Sequence, residues 1–256
     1  MASVRFTSLI RVEERLLEAE YFAEKLQGNI HEPDVGYYLN AFLSSARSVT
    51  FLLQKEMSGV PDFVPWWETH RQKLARDEAA KFFLNLRNFS QKQGPIALVG
   101  AGSPRGRWAY CFAGNAEAVP SSLLHRPVWE CCREHVSKLA SIILDVAERF
   151  PFSSCMRTAL TPDGMKTLGL TFPAIEEVLG FPTGWTDVDG YQNVDAILSI
   201  LREHVDGVDF AAIQRLAKWT PPVQESEPLS ASEDLSERML LSLVPAVEAQ
   251  ARRACE

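Results

Sequence analysis

The feature that most constrains the fold of this chain is a long stretch between residues 33 and 57 whose apolar side chains recur at helical spacing. Its inward stripe places residues three or four positions apart, as one face of a helix requires: Tyr38, Phe42, Ser45, Val49 and Leu52. Pro33 suits the first turn of a helix, and the run SGVP at 58–61 ends it. A helix of this kind is stable when other elements cover its apolar face, so the sequence predicts a helical bundle.

Three further segments of the N-terminal part have amphipathic patterns of helical length. They end at turn residues such as Gly28 and the Gly94-Pro95 pair, and Asp77 is a suitable cap for the last of them. The segments are 7–27, 63–76 and 77–90. Together with 33–57 they predict a four-helix bundle over residues 1–95. We interpret Trp66 and Trp67 as core residues at a helix junction, with a base-stacking platform as the alternative.

The rest of the chain predicts a small β-hairpin and more helices. Residues 96–119 contain two short apolar runs around a Gly/Pro turn, which is typical of a hairpin. The predicted helices are 126–149, 172–179, 193–204 and 208–218, with a Pro-, Gly- and Thr-rich region at 150–190. Residues 220–235 predict a linker and 235–253 a last helix. The fold class is therefore mainly α, with domains at 1–95, 96–219 (hairpin and helical extension packed on the bundle) and 220–256 (linker and C-terminal helix).

Charge is distributed unevenly along this acidic chain, whose formal net charge is −7. Residues 1–159 carry 19 lysines and arginines against 17 aspartates and glutamates, whereas residues 160–256 carry 7 against 16. Within 71–107, eight basic residues stand against two acidic ones. Such a patch attracts a phosphate backbone, although an ordinary solvated face is the alternative. The candidate phosphate- or RNA-binding residues are Arg71, Lys73, Arg76, Lys81, Arg105 and Arg107.

Composition argues against several classes of protein. The five cysteines form no CxxC pair and no two histidines have metal-ligand spacing, so we expect free buried thiols, no metal and no cofactor. No run of about 18 apolar residues occurs, and the N-terminus becomes charged too early for a signal peptide. We therefore expect a cytoplasmic protein without a membrane partner.

The segment 81–94, KFFLNLRNFSQKQG, contains the most informative polar motif. Near the end of a predicted helix, Arg87 is followed at once by Asn88, and Lys92 comes five residues after the arginine. With the helix text YYLNAFLSSARSVTFLLQKE and an F-x-x-WW element, this segment resembles the HEPN superfamily (higher eukaryotes and prokaryotes nucleotide-binding) over about residues 7–95.

The resemblance implies a helical bundle that dimerises and, in active members, a metal-independent ribonuclease. There, arginine–histidine motifs of two subunits form one site in which the histidine moves the proton of the ribose 2′-hydroxyl, the arginine steadies the phosphate and the polar residue after it orients the pair. By position, Arg87 matches the arginine, Asn88 the polar residue and Lys92 the histidine. These three are the candidate catalytic residues.

Lysine in the histidine position disfavours catalysis. A general base works best when its pKa lies near the working pH, and an unperturbed lysine has a pKa of about 10.4 against about 6.5 for histidine. A charged lysine can nevertheless bind phosphate as a fixed cation. His31 and His70 could approach the site in a folded dimer, but we expect surface or capping roles for all five histidines. For Arg47, we favour a buried ion pair with a glutamate of 7–27 over a phosphate contact.

Three functional hypotheses follow. The first is a HEPN-like RNA-binding or regulatory protein with a degenerate nuclease motif, in bacterial defence or a toxin–antitoxin setting. The second is an active metal-independent endoribonuclease that uses Arg87 and an altered base. The third is a protein-binding scaffold without an RNA role. The expected partners are a second copy of the chain in a homodimer, RNA, and a protein partner such as an antitoxin.

Overall fold

The N-terminal part folds into four helices whose limits agree closely with the sequence pattern. A computed structural model describes residues 6–29, 31–102, 108–113, 119–187 and 193–221. The four helices are α1 (Ile10–Leu26), α2 (Glu32–Met57), α3 (Phe63–Arg76) and α4 (Glu78–Lys92). In α2, Phe42, Ser45 and Val49 of the predicted inward face are buried, whereas Tyr38 and Leu52 are only partly buried.

A two-stranded antiparallel hairpin follows, with β1 at Leu98–Gly102 and β2 at Trp108–Phe112. Gly100 pairs with Tyr110 in the register of the two strands. A Cβ atom on Gly100 would lie 2.2 Å from Cζ2 of Trp108, so this position needs glycine to let the indole ring cross the backbone. The close packing of a ring therefore accounts for this glycine.

Seven further helices occupy the described residues after the hairpin, the longest being α5 (Val128–Arg149). The others are α6 (Pro151–Ser154), α7 (Met156–Ala159), α8 (Pro162–Leu168), α9 (Phe172–Leu179), α10 (Val194–Glu203) and α11 (Phe210–Ala217). The mainly helical fold class with a small hairpin and a helical C-terminal part is thus confirmed. The short α6, α7 and α8 escaped prediction because helices of four to seven residues are too short to show a helical pattern of apolar residues. Thr161 caps α8 by accepting from the N–H of Gly164.

The buried apolar side chains form two clusters. The larger one joins α1, α2, α3, α4 and α5 with α11, and it includes Phe42, Phe63 and Ile143. The smaller one lies in the C-terminal part and includes Leu160, Ile175 and Leu198. The helical extension therefore contributes α5 and α11 to the core of the N-terminal helices. The domain limits at 95 and 219 stay a prediction, and the predicted helix at 235–253, like residues 222–234 of the predicted linker, lies outside the described residues.

An ion-pair network centred on the buried Glu20 joins three of these helices. Glu20 of α1 accepts hydrogen bonds from Nη1 and Nη2 of Arg215 at 2.6 and 2.8 Å and from Nη1 of Arg133 at 3.0 Å. Burial by itself would raise the pKa of Glu20, but the hydrogen bonds and charges of the two arginines outweigh it and lower that pKa. The carboxylate thus stays charged and joins α1 to α5 and α11.

A second ionic contact, made by Asp77 at the start of α4, joins α4 to α5. Its Oδ1 accepts from the N–H of Ala80 at 3.0 Å, which caps α4, and its Oδ2 accepts from Nζ of Lys138 on α5 at 2.7 Å. The capping role predicted from the sequence is confirmed. One carboxylate therefore fixes both the first turn of α4 and its position against α5.

No helix within the described ranges is long and apolar enough to cross a membrane.

We expect Asp77→Ala to lower the free energy of unfolding by about 1–2 kcal/mol, because it removes both the cap and the partly exposed ion pair. Asp77→Asn keeps a good capping side chain and loses only the ion pair, so its cost should stay below about 1 kcal/mol. Urea unfolding followed by circular dichroism measures both values. Equal costs for the two variants would contradict the capping role.

Candidate functional site

Arg87, Asn88 and Lys92 lie in the last two turns of α4. Arg87 is half-buried, and its Nη1 donates to Oδ1 of Asn88 at 3.2 Å. Lys92 is the last residue of the helix and is exposed. Nε of Arg87 is buried and has no hydrogen-bond partner among the described residues, nor does any described carboxylate lie within ion-pair distance of the guanidinium. Arg87 is thus positioned by Asn88, and its guanidinium forms no ion pair with a described carboxylate.

Asn88 and Lys92 belong to a polar stripe that runs along α4. Lys81, Asn85, Asn88 and Lys92 follow one another at intervals of four, three and four residues, which places them on one side of a helix. At 1.5 Å per residue the stripe is about 16 Å long. Asn88 is half-buried and the other three are exposed. We call these four residues the α4 face.

The N-terminal end of the α4 face borders a cavity of about 440 Å³ that lies between α2, α3, α4 and α5. Lys81 and Asn85 belong both to the face and to the cavity wall. Arg47 of α2 and Arg71 of α3 also line it. The remaining lining residues are mostly apolar: Leu43, Ala46, Trp67, Leu74, Ala75, Ala80, Phe83, Leu84 and Leu139, beside Thr50, Gln54 and His135. We call this space the α2–α5 cavity.

The three cationic side chains that line this cavity differ in whether a neighbouring carboxylate neutralises their charge. Arg71 donates from Nε and Nη2 to the carboxylate of Glu68 at 2.7 and 2.8 Å, so its charge is largely neutralised. Hydrogen bonds from Arg71 and then Gln72 lower the pKa of Glu68 to about 2, which keeps that carboxylate charged. Arg47 and Lys81, in contrast, have no acidic partner among the residues that the structure describes.

The expectation for Arg47 is wrong. Its side chain is exposed, its Nη1 donates to Oγ1 of Thr50 at 2.9 Å, and no glutamate of α1 reaches it among the described residues. The guanidinium lies on the side of α2 that lines the cavity, and that side is open to solvent. The predicted burial fails because position 47 follows buried Ala46 and is turned by about 100° away from it.

The structure brings only part of the predicted basic patch together. Arg71 and Lys81 meet at the α2–α5 cavity, whereas Lys73 lines a different cavity on the other side of α3. There it faces Asp145 and Glu148 as well as Arg149, so carboxylates offset its attraction for phosphate. Arg76 is exposed at the end of α3. Arg105 and Arg107 lie outside the described residues.

His135 is a residue of this region that the sequence prediction missed. It lies on α5, its ring stacks on Phe83 at 4.7 Å between centroids, and its Nδ1 is buried without a described partner. Burial, followed by the charge of Lys138, lowers the pKa of His135 to about 4, so the ring is neutral near pH 7. The expected surface or capping role is therefore wrong for His135. Its spacing of four from buried Leu139 was the available signal.

His70, one of the two histidines considered for the site, packs elsewhere. Its ring stacks on Trp66 at 3.8 Å between centroids, and its Nε2 lies 3.3 Å from Oδ2 of Asp145. Trp67 is a core residue as predicted and is only 6% exposed, whereas Trp66 is partly buried and packs against the same core. Among the described residues, no group of three histidine, cysteine, aspartate or glutamate side chains is placed to hold a metal ion.

The four cysteines that the structure describes are buried and unpaired, in agreement with the expectation of free thiols. Burial raises the pKa of Cys111 to about 11 and that of Cys131 to about 12, so both thiols are neutral near pH 7. Cys255 lies outside the described residues. The described thiols are thus packing residues, and burial raises the pKa of Cys111, Cys131 and Cys132, opposite to the lowered pKa of a nucleophilic thiol.

Comparison with known proteins gives one similarity. A family model described as bacteriophage lambda protein ea47 matches residues 7–127. The matched region comprises α1, α2, α3, α4 and the hairpin and ends just before α5, so it includes the whole α4 face. No curated protein matches the chain, and no solved structure matches it.

We expect the free energy of unfolding to fall as pH is lowered from 6.5 to about 4, because the unfolded chain binds a proton at His135 that the folded chain excludes. The loss reaches at most about 3 kcal/mol and is complete below the folded pKa. His135→Phe should flatten this part of the stability–pH curve, measured by urea unfolding at several pH values. The exposed His31→Gln is the control. An unchanged slope in His135→Phe would contradict the burial of a neutral imidazole.

Proposed function

We propose that this protein is a HEPN-like RNA-binding protein whose nuclease motif is degenerate, and that RNA phosphates lie along the α4 face. The observation that carries the proposal is the alignment of Lys81, Asn85, Asn88 and Lys92 on one side of α4, with Arg87 joined to Asn88. A cation lies at each end of this stripe, with two amides between them. Amide N–H groups position a phosphate backbone while cations attract it, and neither depends on the base sequence.

The free charges of this surface support the proposal. Among the described residues, no carboxylate forms an ion pair with Arg47, Lys81, Arg87 or Lys92. Most other arginines of the described bundle are paired, as Arg133 and Arg215 are with Glu20. Unpaired cations keep their full attraction for an external anion. A chain with a net charge of −7 can thus attract RNA at one face.

The unpaired guanidinium of Arg87 supports a ligand beside the C-terminal end of the α4 face. A buried donor without a partner costs about 1–3 kcal/mol, so such groups are normally satisfied by a partner, a water molecule or a ligand. A phosphate oxygen is a suitable acceptor for guanidinium N–H groups. The asparagine that holds the guanidinium leaves the position of Arg87 well defined for this contact.

Lys92 favours binding over cleavage. Cleavage by the route that the resemblance implies needs a group that accepts the proton of the 2′-hydroxyl near neutral pH. An exposed lysine ammonium supplies positive charge and hydrogen-bond donors but no acceptor. In our proposal the motif therefore still contacts the phosphate, but it no longer accepts the proton of the 2′-hydroxyl.

The biological setting belongs to the same proposal. The HEPN resemblance favours bacterial defence or a toxin–antitoxin system, and the similarity over residues 7–127 is to a family described by a bacteriophage protein, which fits a conflict between phage and host. A homodimer and a protein partner such as an antitoxin stay predictions from the resemblance.

The binding surface predicts a specific change in salt dependence. Removing one lysine–phosphate contact with single-stranded RNA should reduce the slope of log affinity against log salt by about 0.7. We expect Lys81→Gln and Lys92→Gln each to show this change in fluorescence anisotropy titrations at several salt concentrations. Lys166→Gln on α8 makes the same change of charge at an exposed position in the C-terminal part and should leave the slope unchanged. Salt-independent RNA binding, or equal effects of all three variants, would contradict the proposal.

The degenerate motif predicts that RNA is bound but not cut. Incubation of labelled RNA with the protein in EDTA should leave it intact for the wild type, Arg87→Ala and Lys92→Ala. Affinity should nevertheless fall in Arg87→Ala. Products with 2′,3′-cyclic phosphate ends that disappear in Arg87→Ala would instead show that the chain is an active ribonuclease with an altered base.

A further inference from the structure

The α2–α5 cavity has features that binding of a phosphate backbone does not explain. Its volume of about 440 Å³ lies within the range of small-molecule pockets. Its walls combine the apolar side chains of Leu43, Leu74 and Leu139 with the aromatic rings of Phe83 and Trp67. A phosphate alone would occupy only the rim, where the cations lie.

Two of the residues that line the cavity each have a buried polar atom without a partner. Nε1 of Trp67 and Nδ1 of His135 are both buried, and neither has a hydrogen-bond partner among the described residues. The indole N–H can only donate, whereas a neutral imidazole nitrogen donates or accepts according to its tautomer. A ligand that satisfies both atoms must therefore present at least one acceptor inside an otherwise apolar space.

Free cations stand at the mouth of the same cavity. Arg47 and Lys81 line it from α2 and α4, and neither has an acidic partner among the described residues. An apolar ligand such as a hydrocarbon chain would leave the indole and imidazole nitrogens unpaired, and an inorganic anion would leave the apolar walls empty. The walls and the rim together suit a flat ring that carries hydrogen-bonding groups and is attached to an anion.

We propose that the α2–α5 cavity receives one unstacked nucleobase of the bound RNA strand, with an acceptor on the base facing Nε1 of Trp67 and the adjoining phosphate at Arg47 and Lys81. This inference rests on the proposed function, because the strand along the α4 face leads to the cavity through Lys81 and Asn85. Sequence-dependent recognition of single-stranded RNA commonly uses bases that are splayed out and stacked on aromatic side chains. A free mononucleotide has the same chemistry and is the alternative source of the base.

The test compares intact single-stranded RNA with RNA in which one base at a time is replaced by an abasic site. For the wild type, we expect one position at which base removal weakens binding by about tenfold or more. Ala46→Phe fills the cavity from a buried position of α2 and should bring intact RNA to the affinity of the abasic strand, without changing the salt slope. Trp67→Phe removes the indole N–H and keeps an aromatic ring, so it tests the same contact if Ala46→Phe does not fold.

Each result has a definite meaning. Equal affinity for intact and abasic strands at every position, or an undiminished difference in both variants, would overturn the base pocket while leaving salt-dependent RNA binding to the α4 face intact. Loss of salt-dependent binding itself would instead remove the proposed function. Titration with AMP and UMP distinguishes a base of the RNA strand from a free mononucleotide. The assignment to the RNA strand would be overturned if a mononucleotide bound the wild type but not Ala46→Phe and if intact RNA did not displace it.

Discussion

The candidate site depends on Asp77, because this carboxylate determines how α4 lies against α5. It caps α4 through the N–H of Ala80 and accepts from Nζ of Lys138, which is one turn from His135 on α5. Burial by itself would raise the pKa of Asp77, but Lys138 and the capping N–H outweigh it and lower that pKa, so the link is ionic over the physiological range. Lys81 on one helix and His135 on the other therefore come to line the same cavity.

The sequence was sufficient for the parts of this structure that local pattern determines. Apolar spacing and breakers predicted α3 and α9 to the residue, and the Asp77 cap followed from its position before a helical run. The resemblance implied that the polar residue after the arginine orients the motif, and Nη1 of Arg87 donates to Oδ1 of Asn88. These features depend on neighbours within one helix, which is why a single sequence contains them.

The sequence was insufficient where packing between distant elements decides the role of a residue. The sequence predicts that Arg47 is buried in an apolar helix, yet the side of α2 on which it lies borders a cavity and is open to solvent. His135 reads as an ordinary polar residue of α5, yet the packing of α5 on α4 places its ring on Phe83. Neither outcome follows from spacing alone, because both require knowing which helix covers which face.

Pairing, rather than the number of basic residues, determines which cations can attract an anion. Arg71 belongs to the predicted patch but is held by Glu68 in a two-hydrogen-bond contact, and Lys73 faces two carboxylates. Lys81 has no such neighbour among the residues that the structure describes. The formal charge of segment 71–107 thus overstates the attraction of Arg71 and Lys73 for an anion. It also leaves out Arg47, which lies outside that segment.

The central claim, that RNA lies along the α4 face, is tested most directly by photocrosslinking. Single-stranded RNA containing 4-thiouridine, irradiated in complex with the full chain and followed by mass spectrometry of the crosslinked peptides, locates the strand without any substitution in the protein. We predict adducts within 81–92 and on the neighbouring side of α2 near Arg47. Adducts confined to the C-terminal part, or none above the level of an unrelated protein, would contradict the account.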